Sequence, residues 1–116
     1  MAIGLTSGEG LRLWHAVHMH FVRDEGPDLS ARQMAILLII YLEAPPHTVR
    51  GLAGKLAVSK PVITRALDSM GKHDLVTRRR DEHDRRNVLV QRTVKGALFL
   101  ERVGDTLRDL ARHIRT

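Results

Sequence analysis

Two stretches decide the fold: LAGKLAVSKPVITR, residues Leu52–Arg65, and LVTRRRDEHDRRNVLVQRTVKG, residues Leu75–Gly96. Just ahead of the first, Thr48 stands as an N-cap, and Leu52 and Leu56 (i, i+4) give a short helix its inner face. That helix ends near Ala57. A tight turn follows at Ala57-Val58, and Ser59 caps a second helix with Pro61 in its first turn, where a missing N–H is harmless. Ile63, Leu67 and Met70 are its core side, and it ends around Gly71 to Asp74. In the second stretch the period changes. Leu75–Arg79 and Asn87–Gln91 are β-prone, and Arg80–Arg86 between them is wholly polar, which predicts a two-stranded hairpin with a charged tip. Two short helices, a tight turn and a basic hairpin make a helix-turn-helix with a wing.

Working outward, Leu11, Trp14, Val17 and Phe21 recur at helical spacing and predict a helix from about Glu9 to Asp24, with residues 1–8 loose ahead of it. Gly26-Pro27 ends that helix. Ser30 caps the next, which runs to about Ala44; its centre, Met34–Leu42, is apolar all round and is expected to be buried. Pro45-Pro46 stops it. Thr93 caps a last helix reaching about Arg115. Its apolar positions include Leu100, Val103, Leu107, Leu110 and Ile114, more than one small domain needs to bury. A 20-residue helix is about 30 Å long, so this one is expected to project and pair. The expected fold class is mainly α (α+β), one structural domain in three parts: a tail and dimerisation helix over 1–28, a winged helix-turn-helix module over 29–92, and a C-terminal dimerisation helix over 93–116.

The 116 residues are 43% hydrophobic and 28% charged, a globular balance, and the 3% aromatic content makes the core aliphatic. The chain has no cysteine, which excludes a disulfide scaffold, Cys-ligated zinc, thiol catalysis and thiol redox sensing. The longest apolar run is far short of the ~20 residues a bilayer span needs. The N-terminus lacks a basic segment ahead of an apolar one, so no secretory signal is read there and the expected compartment is the cytoplasm. The formal net charge is +6. Residues 47–92 hold eleven Lys/Arg against five Asp/Glu, so the whole excess lies in the helix-turn-helix and hairpin. A confined basic block is the footprint of a phosphate-binding surface.

These motifs resemble the MarR-type winged-helix regulators. The matching residues are Leu52-Ala53, Leu56-Ala57-Val58-Ser59-Lys60, Val62-Ile63-Thr64-Arg65, Leu67-Asp68, Leu75 to Asp81, Asp84-Arg85-Arg86 and Thr93-Val94-Lys95-Gly96. The resemblance covers about Leu29 to Gly96. It implies a homodimer on a pseudo-palindromic duplex, with the helix from Ser59 in the major groove. It implies that Arg86, matching the family's Asp-x-Arg, reaches the minor groove while Asp84 orients the wing. Two positions depart from the pattern. Asp74 stands where the family usually has Gly, and Asp is among the few residues that tolerate the left-handed conformation of a helix end. Arg92 replaces a usual apolar residue, as a phosphate contact or merely an exposed side chain. The family also typically adds another C-terminal helix. Dimerisation is therefore expected to rest on Leu11, Trp14, Val17, Phe21, Leu100, Val103, Leu107, Leu110 and Ile114. Less chain remains for an effector cavity, and whether a small-molecule effector is bound is left open.

The reading helix offers short polar donors and long cations at its N-terminal half: Ser59, Lys60, Thr64 and Arg65, with Val62 placed to touch a thymine methyl. Lys60, Thr64 and Arg65 are expected to read base edges, and Ser59, Arg79, Arg80 and Arg92 to hold phosphates. Arg85 and Arg86 work from the wing tip. Asp68, one turn after Arg65, is expected to orient it. His15 and His18 share a helical face, but no carboxylate at firm metal spacing joins them, so no metal and no cofactor are expected. There is no Gly-rich phosphate loop and no nucleophile–base pairing, so no enzyme is expected. The expected function is a homodimeric, sequence-specific regulator of transcription on double-stranded DNA, a repressor more than an activator, with no membrane partner. The rivals are a protein-interaction adaptor and a nonspecific nucleoid-type DNA binder.

Overall fold

The computed structural model describes residues 4–114. The element order is α1 (Ser7–Arg23), α2 (Ala31–Leu42), β1 (His47–Thr48), α3 (Val49–Leu56), α4 (Lys60–Lys72), β2 (Val76–Arg80), β3 (Val88–Arg92) and α5 (Val94–Arg112). Contacts divide the chain into two units. One is Leu29–Phe99; the other joins the segment up to Asp28 with the segment from Leu100.

Leu29–Phe99 is built on aliphatic side chains. Ile36, Leu37 and Ile40 of α2, Leu52 of α3, and Ile63, Leu67 and Met70 of α4 are all buried to within a percent of completely. Ser30 opens α2 through a reciprocal capping box with Gln33. The all-round burial expected of Met34–Leu42 does not hold: Ile36, Leu37 and Ile40 form one buried face, Leu38 and Ile39 between them are half-buried, and Leu42 at the helix end is 77% exposed. Thr48 caps α3 through Gly51 N–H. Leu56 is half-buried, and Val49, Leu52 and Ala53 form the inner face of α3 instead. The turn into α4 is made by Ala57 in the left-handed region, φ 55°. Ser59 precedes α4 but makes no side-chain cap hydrogen bond, contrary to the capping role expected of it. Pro61 in the first turn needs no N–H partner.

The wing is a three-stranded antiparallel sheet in the order β1-β3-β2. The third strand, His47–Thr48, was not expected. It pairs His47 with Val90 and Thr48 with Leu89, and two residues are too few to show a period in sequence. β2 and β3 pair from Val76↔Arg92 to Arg80↔Val88. Asp74 takes the left-handed conformation expected of it, φ 56°, and starts the turn into β2.

A hydrogen-bonded hub ties α2 to both ends of the hairpin. The Tyr41 hydroxyl accepts from Thr93 N–H at 2.9 Å; its one proton faces the carbonyls of Leu75 at 2.9 Å and Thr93 at 3.1 Å. Thr93 Oγ1 donates to the Asp74 carbonyl and accepts from Gly96 N–H, the expected cap of α5. Gly96 sits so close that a β-carbon there meets the Tyr41 hydroxyl and the Leu75 carbonyl.

Arg92 corrects a sequence expectation. Its Nε donates to the Ile40 carbonyl at 2.8 Å and its Nη2 to the Glu43 carbonyl at 3.2 Å, and its guanidinium lies 5.8 Å from the centre of the Tyr41 ring. It satisfies the C-terminal carbonyls of α2, which have no partner inside the helix. It is an anchor rather than a free phosphate contact. Arg92→Met is expected to lower unfolding free energy by about 1–2 kcal/mol, read from denaturant midpoints at constant m. An unchanged midpoint contradicts the anchor.

In the other unit α1 starts earlier than expected. Thr6 and Glu9 form a capping box, so Ser7 and Gly8 are helical; residues 1–3 of the expected loose tail lie outside the described residues. Val17 and Val103 are buried. Both were expected at a dimer interface, and the chain's own packing takes them instead. Leu11 and Trp14 are 71% and 63% exposed. Phe21, Leu100, Leu110 and Ile114 are half-buried, and Leu107 is exposed. Trp14 meets the His18 ring edge-on at 4.3 Å, and His18 Nδ1–H donates to the Trp14 carbonyl. Among the described residues no group of three His, Cys, Asp or Glu is placed to hold a metal ion, and no helix is long and apolar enough to cross a membrane.

Candidate nucleic-acid interface

The two sides of α4 differ sharply. Ile63, Ala66, Leu67 and Met70 face the core, while Ser59, Lys60, Thr64 and Arg65 are exposed and Val62 is half-buried beside them. The helix is thus held by one face and offers two hydroxyls, two cations and a small apolar edge on the other, side chains with the hydrogen-bonding and apolar chemistry that base edges can pair with. Its first N–H groups and positive dipole end point the same way along the axis. A cleft of about 200 Å³ lies between α4 and the start of α2, lined by Ser30, Arg32, Gln33, Val62, Arg65 and Ala66.

The arginines of the wing look alike in sequence and are not alike in the fold. Arg78 Nη2 is bound to Asp68 Oδ1 at 2.6 Å, bridging β2 to α4. Asp68 therefore pairs with Arg78, not with Arg65 as expected. Arg80 Nη1 donates to the Arg85 carbonyl at 3.0 Å, which pins the base of the tip. Arg86 grips Asp84 with Nε at 3.0 Å and Nη2 at 3.2 Å, and its own backbone N–H donates to Asp84 Oδ1. Arg79 and Arg85 are exposed on the strand and the tip. Asp81 accepts from His83 N–H, and Asn87 N–H donates to the Asp84 carbonyl, so the tip is a chain of side-chain-supported turns. A shallow groove of about 490 Å³ lies along the sheet, lined by Pro45, Pro46, His47, Arg79, Leu89, Val90, Gln91 and Arg92.

Arg86 holds the Asp84 carboxyl below the usual aspartate range, first through its side chain and then its backbone N–H; Arg50 on α3 adds to this from nearby. A depressed folded-state pKa means the tip's stabilisation is complete above the ordinary aspartate pKa. It is lost only as pH falls through the lower, folded value. The Asp84 side-chain carbon resonance is thus expected to titrate at more acid pH than an ordinary aspartate. A normal midpoint contradicts the ion-paired tip. Arg50 and Arg78 were counted in the basic block of the sequence without a role. Arg78 lies on the same sheet face as the buried Val76, and strand alternation is the signal that separates it from Arg79.

The sequence profile of the MarR family matches residues 29–88, more than half of the chain. The chain belongs to the MarR family. Over 70 residues it is 33% identical to the organic hydroperoxide resistance transcriptional regulator of Bacillus subtilis (strain 168), a match covering 60% of this chain and 48% of that protein. It thus spans about half the length of that curated relative. Among solved structures it is similar to a MarR mutant from E. coli complexed with operator DNA, at TM-score 0.67 and 26% identity, covering 92% of this chain and 71% of that one. Streptococcus pneumoniae FabT in complex with DNA is similar at TM-score 0.69 and 22% identity, over 92% and 73% of the two chains. S. aureus MepR in its DNA complex reaches TM-score 0.70 at 19% identity, over 90% and 80%. As a MarR-family chain it carries the winged-helix architecture of that family of transcriptional regulators. The five helices and small antiparallel sheet of the described residues are that architecture, mainly α with a β wing.

Proposed function

We propose that this MarR-family chain is a homodimeric, sequence-specific binder of double-stranded DNA that represses transcription by covering a pseudo-palindromic operator. The observation that carries the reading is the exposed face of α4, with Ser59, Lys60, Thr64 and Arg65 set on a helix packed through its opposite face beside an arginine-bearing wing. Charge supports it: residues 29–99 carry thirteen Lys/Arg against six Asp/Glu, while the rest of the chain is slightly acidic. The relatives whose structures are described as DNA complexes support it as well. In this reading Lys60, Thr64 and Arg65 read base edges, with Val62 against a thymine methyl. Ser59, Arg79 and Arg85 hold phosphates, and Arg86 enters the minor groove on the turn that Asp84 fixes. Residues 29–92 are the reading module, and the helices over 1–28 and 93–116 pair two copies through Leu11, Trp14, Phe21, Leu107 and the half-buried Leu100, Leu110 and Ile114. In this reading the protein works in the cytoplasm.

The test is selection of bound duplexes from a random library at two salt concentrations, with sedimentation near micromolar protein. An enriched two-fold-related motif and a dimer support the reading. A pool that stays random, with binding that only falls as salt rises, identifies a nonspecific binder. No complex at all leaves the adaptor role, and a strict monomer removes the palindrome.

A further inference from the structure

We infer that the Asp68–Arg78 ion pair is a strut that sets the wing against the reading helix, and that it controls how well the protein tells its own site from other DNA. The inference rests on the DNA-binding reading above. Asp68 stands one turn beyond Thr64 and three residues beyond Arg65, on the exposed side of α4. A carboxylate there opposes phosphate, so its position needs a reason. The reason is Arg78, whose Nη2 lies 2.6 Å from Asp68 Oδ1. Arg78 sits on β2 opposite Val90, between the buried Val76 and the wing tip, so the pair spans from the reading helix to the hairpin's near strand. The backbone connection between the same elements is the short turn through Asp74. The strut is a second tie, farther out along both elements, and two ties fix an angle where one leaves a hinge.

Arg78 is therefore a positioning residue, and its charge is spent on Asp68 rather than on phosphate. The two roles give opposite signs on substitution. Asp68→Asn raises the positive charge of the DNA-facing side by one unit. With a strut, that change tightens binding to arbitrary DNA yet weakens binding to the correct site, because helix and wing no longer hold the spacing of adjacent grooves. Arg78→Gln exposes Asp68 and also loosens the wing.

The test measures affinities of the wild type, Asp68→Asn, Arg78→Gln and the double variant. The probes are the duplex enriched by the selection above and a scrambled duplex of the same composition, across a salt series. Unfolding midpoints are recorded in parallel. The expected result is a loss of about fivefold in the enriched-to-scrambled ratio for each single variant, the upper range for a part-exposed ion pair. The double variant is expected to lose no more than either single one, the mark of a coupled pair. Midpoints stay close to wild type. The salt slope of Arg78→Gln is unchanged, whereas losing one phosphate contact lowers it by about 0.9. Two results overturn the strut: Arg78→Gln weakening both duplexes equally with a reduced slope, or Asp68→Asn tightening both equally. If the wild type itself shows no preference between the duplexes, the DNA-reading assignment fails first, and that is distinct from a strut that fails in a discriminating wild type.

Discussion

Gly96→Ala is expected to lower the unfolding free energy by about 3 kcal/mol, from overpacking and lost hydrogen bonds together. The chain turns into α5 at Thr93, and Gly96 lies against the Tyr41 hydroxyl and the Leu75 carbonyl with no room for a methyl group. The Leu75 carbonyl is backbone and cannot swing aside. Tyr41 can move only by giving up its bonds to Leu75 and Thr93, which leaves part-buried polar groups without partners. Gly96 is not needed here for a left-handed backbone; its need is space alone. For a domain of this size the change corresponds to a fall in Tm on the order of 10–20 °C. Tyr41→Phe removes the nearest of the three obstructing atoms, the hydroxyl oxygen, while the Leu75 carbonyl oxygen and the ring Cζ stay, so adding Gly96→Ala to it is expected to cost less than the separate effects combined. Calorimetry on the four proteins checks this. A fully additive pair, or a Gly96→Ala protein melting with the wild type, contradicts the close packing.

Arg65→Ala is the second large effect expected, a loss of about 1–3 kcal/mol in affinity for the enriched duplex with relaxed preference at one base position. Arg65 is exposed on the reading face of α4, and Ala66 and Ile63 beside it are buried, so truncation leaves the helix where it was. Arg86→Ala is expected to act differently. It removes a wing cation and also the bidentate partner of Asp84, so the tip loosens and an unpaired carboxylate is left facing DNA. Its loss is expected to be felt on the enriched duplex more than on a scrambled one. Fluorescence anisotropy with base-substituted duplexes separates the two. If both variants bind as the wild type does, the assignment of α4 and wing as reading elements is wrong.

Much of this arrangement was legible before the structure. Caps at Ser30, Thr48 and Thr93, Pro61 in a first helical turn, and the switch from a period near 3.6 to one of 2 at Leu75 are local signals, and the fold keeps them. Asp74 was readable as a left-handed residue from its chemistry. Ala57 was not: alanine carries no preference for φ 55°, and the tight turn imposes it. The capping box at Thr6 lay in a glycine-rich start that reads as loose. What sequence could not separate was the work of the arginines. Arg78, Arg79 and Arg80 are adjacent in the chain, but alternation sends Arg78 toward Asp68 and leaves Arg79 on the opposite face. Arg92 reaches carbonyls about fifty positions earlier in the chain, a partner fixed only by the register of β3 against β1 and β2. The interface residues divided for a similar reason. Val17 and Leu11 share a helical stripe, yet the chain buries one and exposes the other.

The most direct test of the central claim is a pair of equilibrium titrations at physiological salt, one with the enriched duplex and one with its scrambled counterpart. A sequence-reading protein gives a Kd of about 10⁻⁸ M or tighter for the first and an affinity at least about 10³-fold weaker for the second. Equal affinities for the two duplexes contradict the claim.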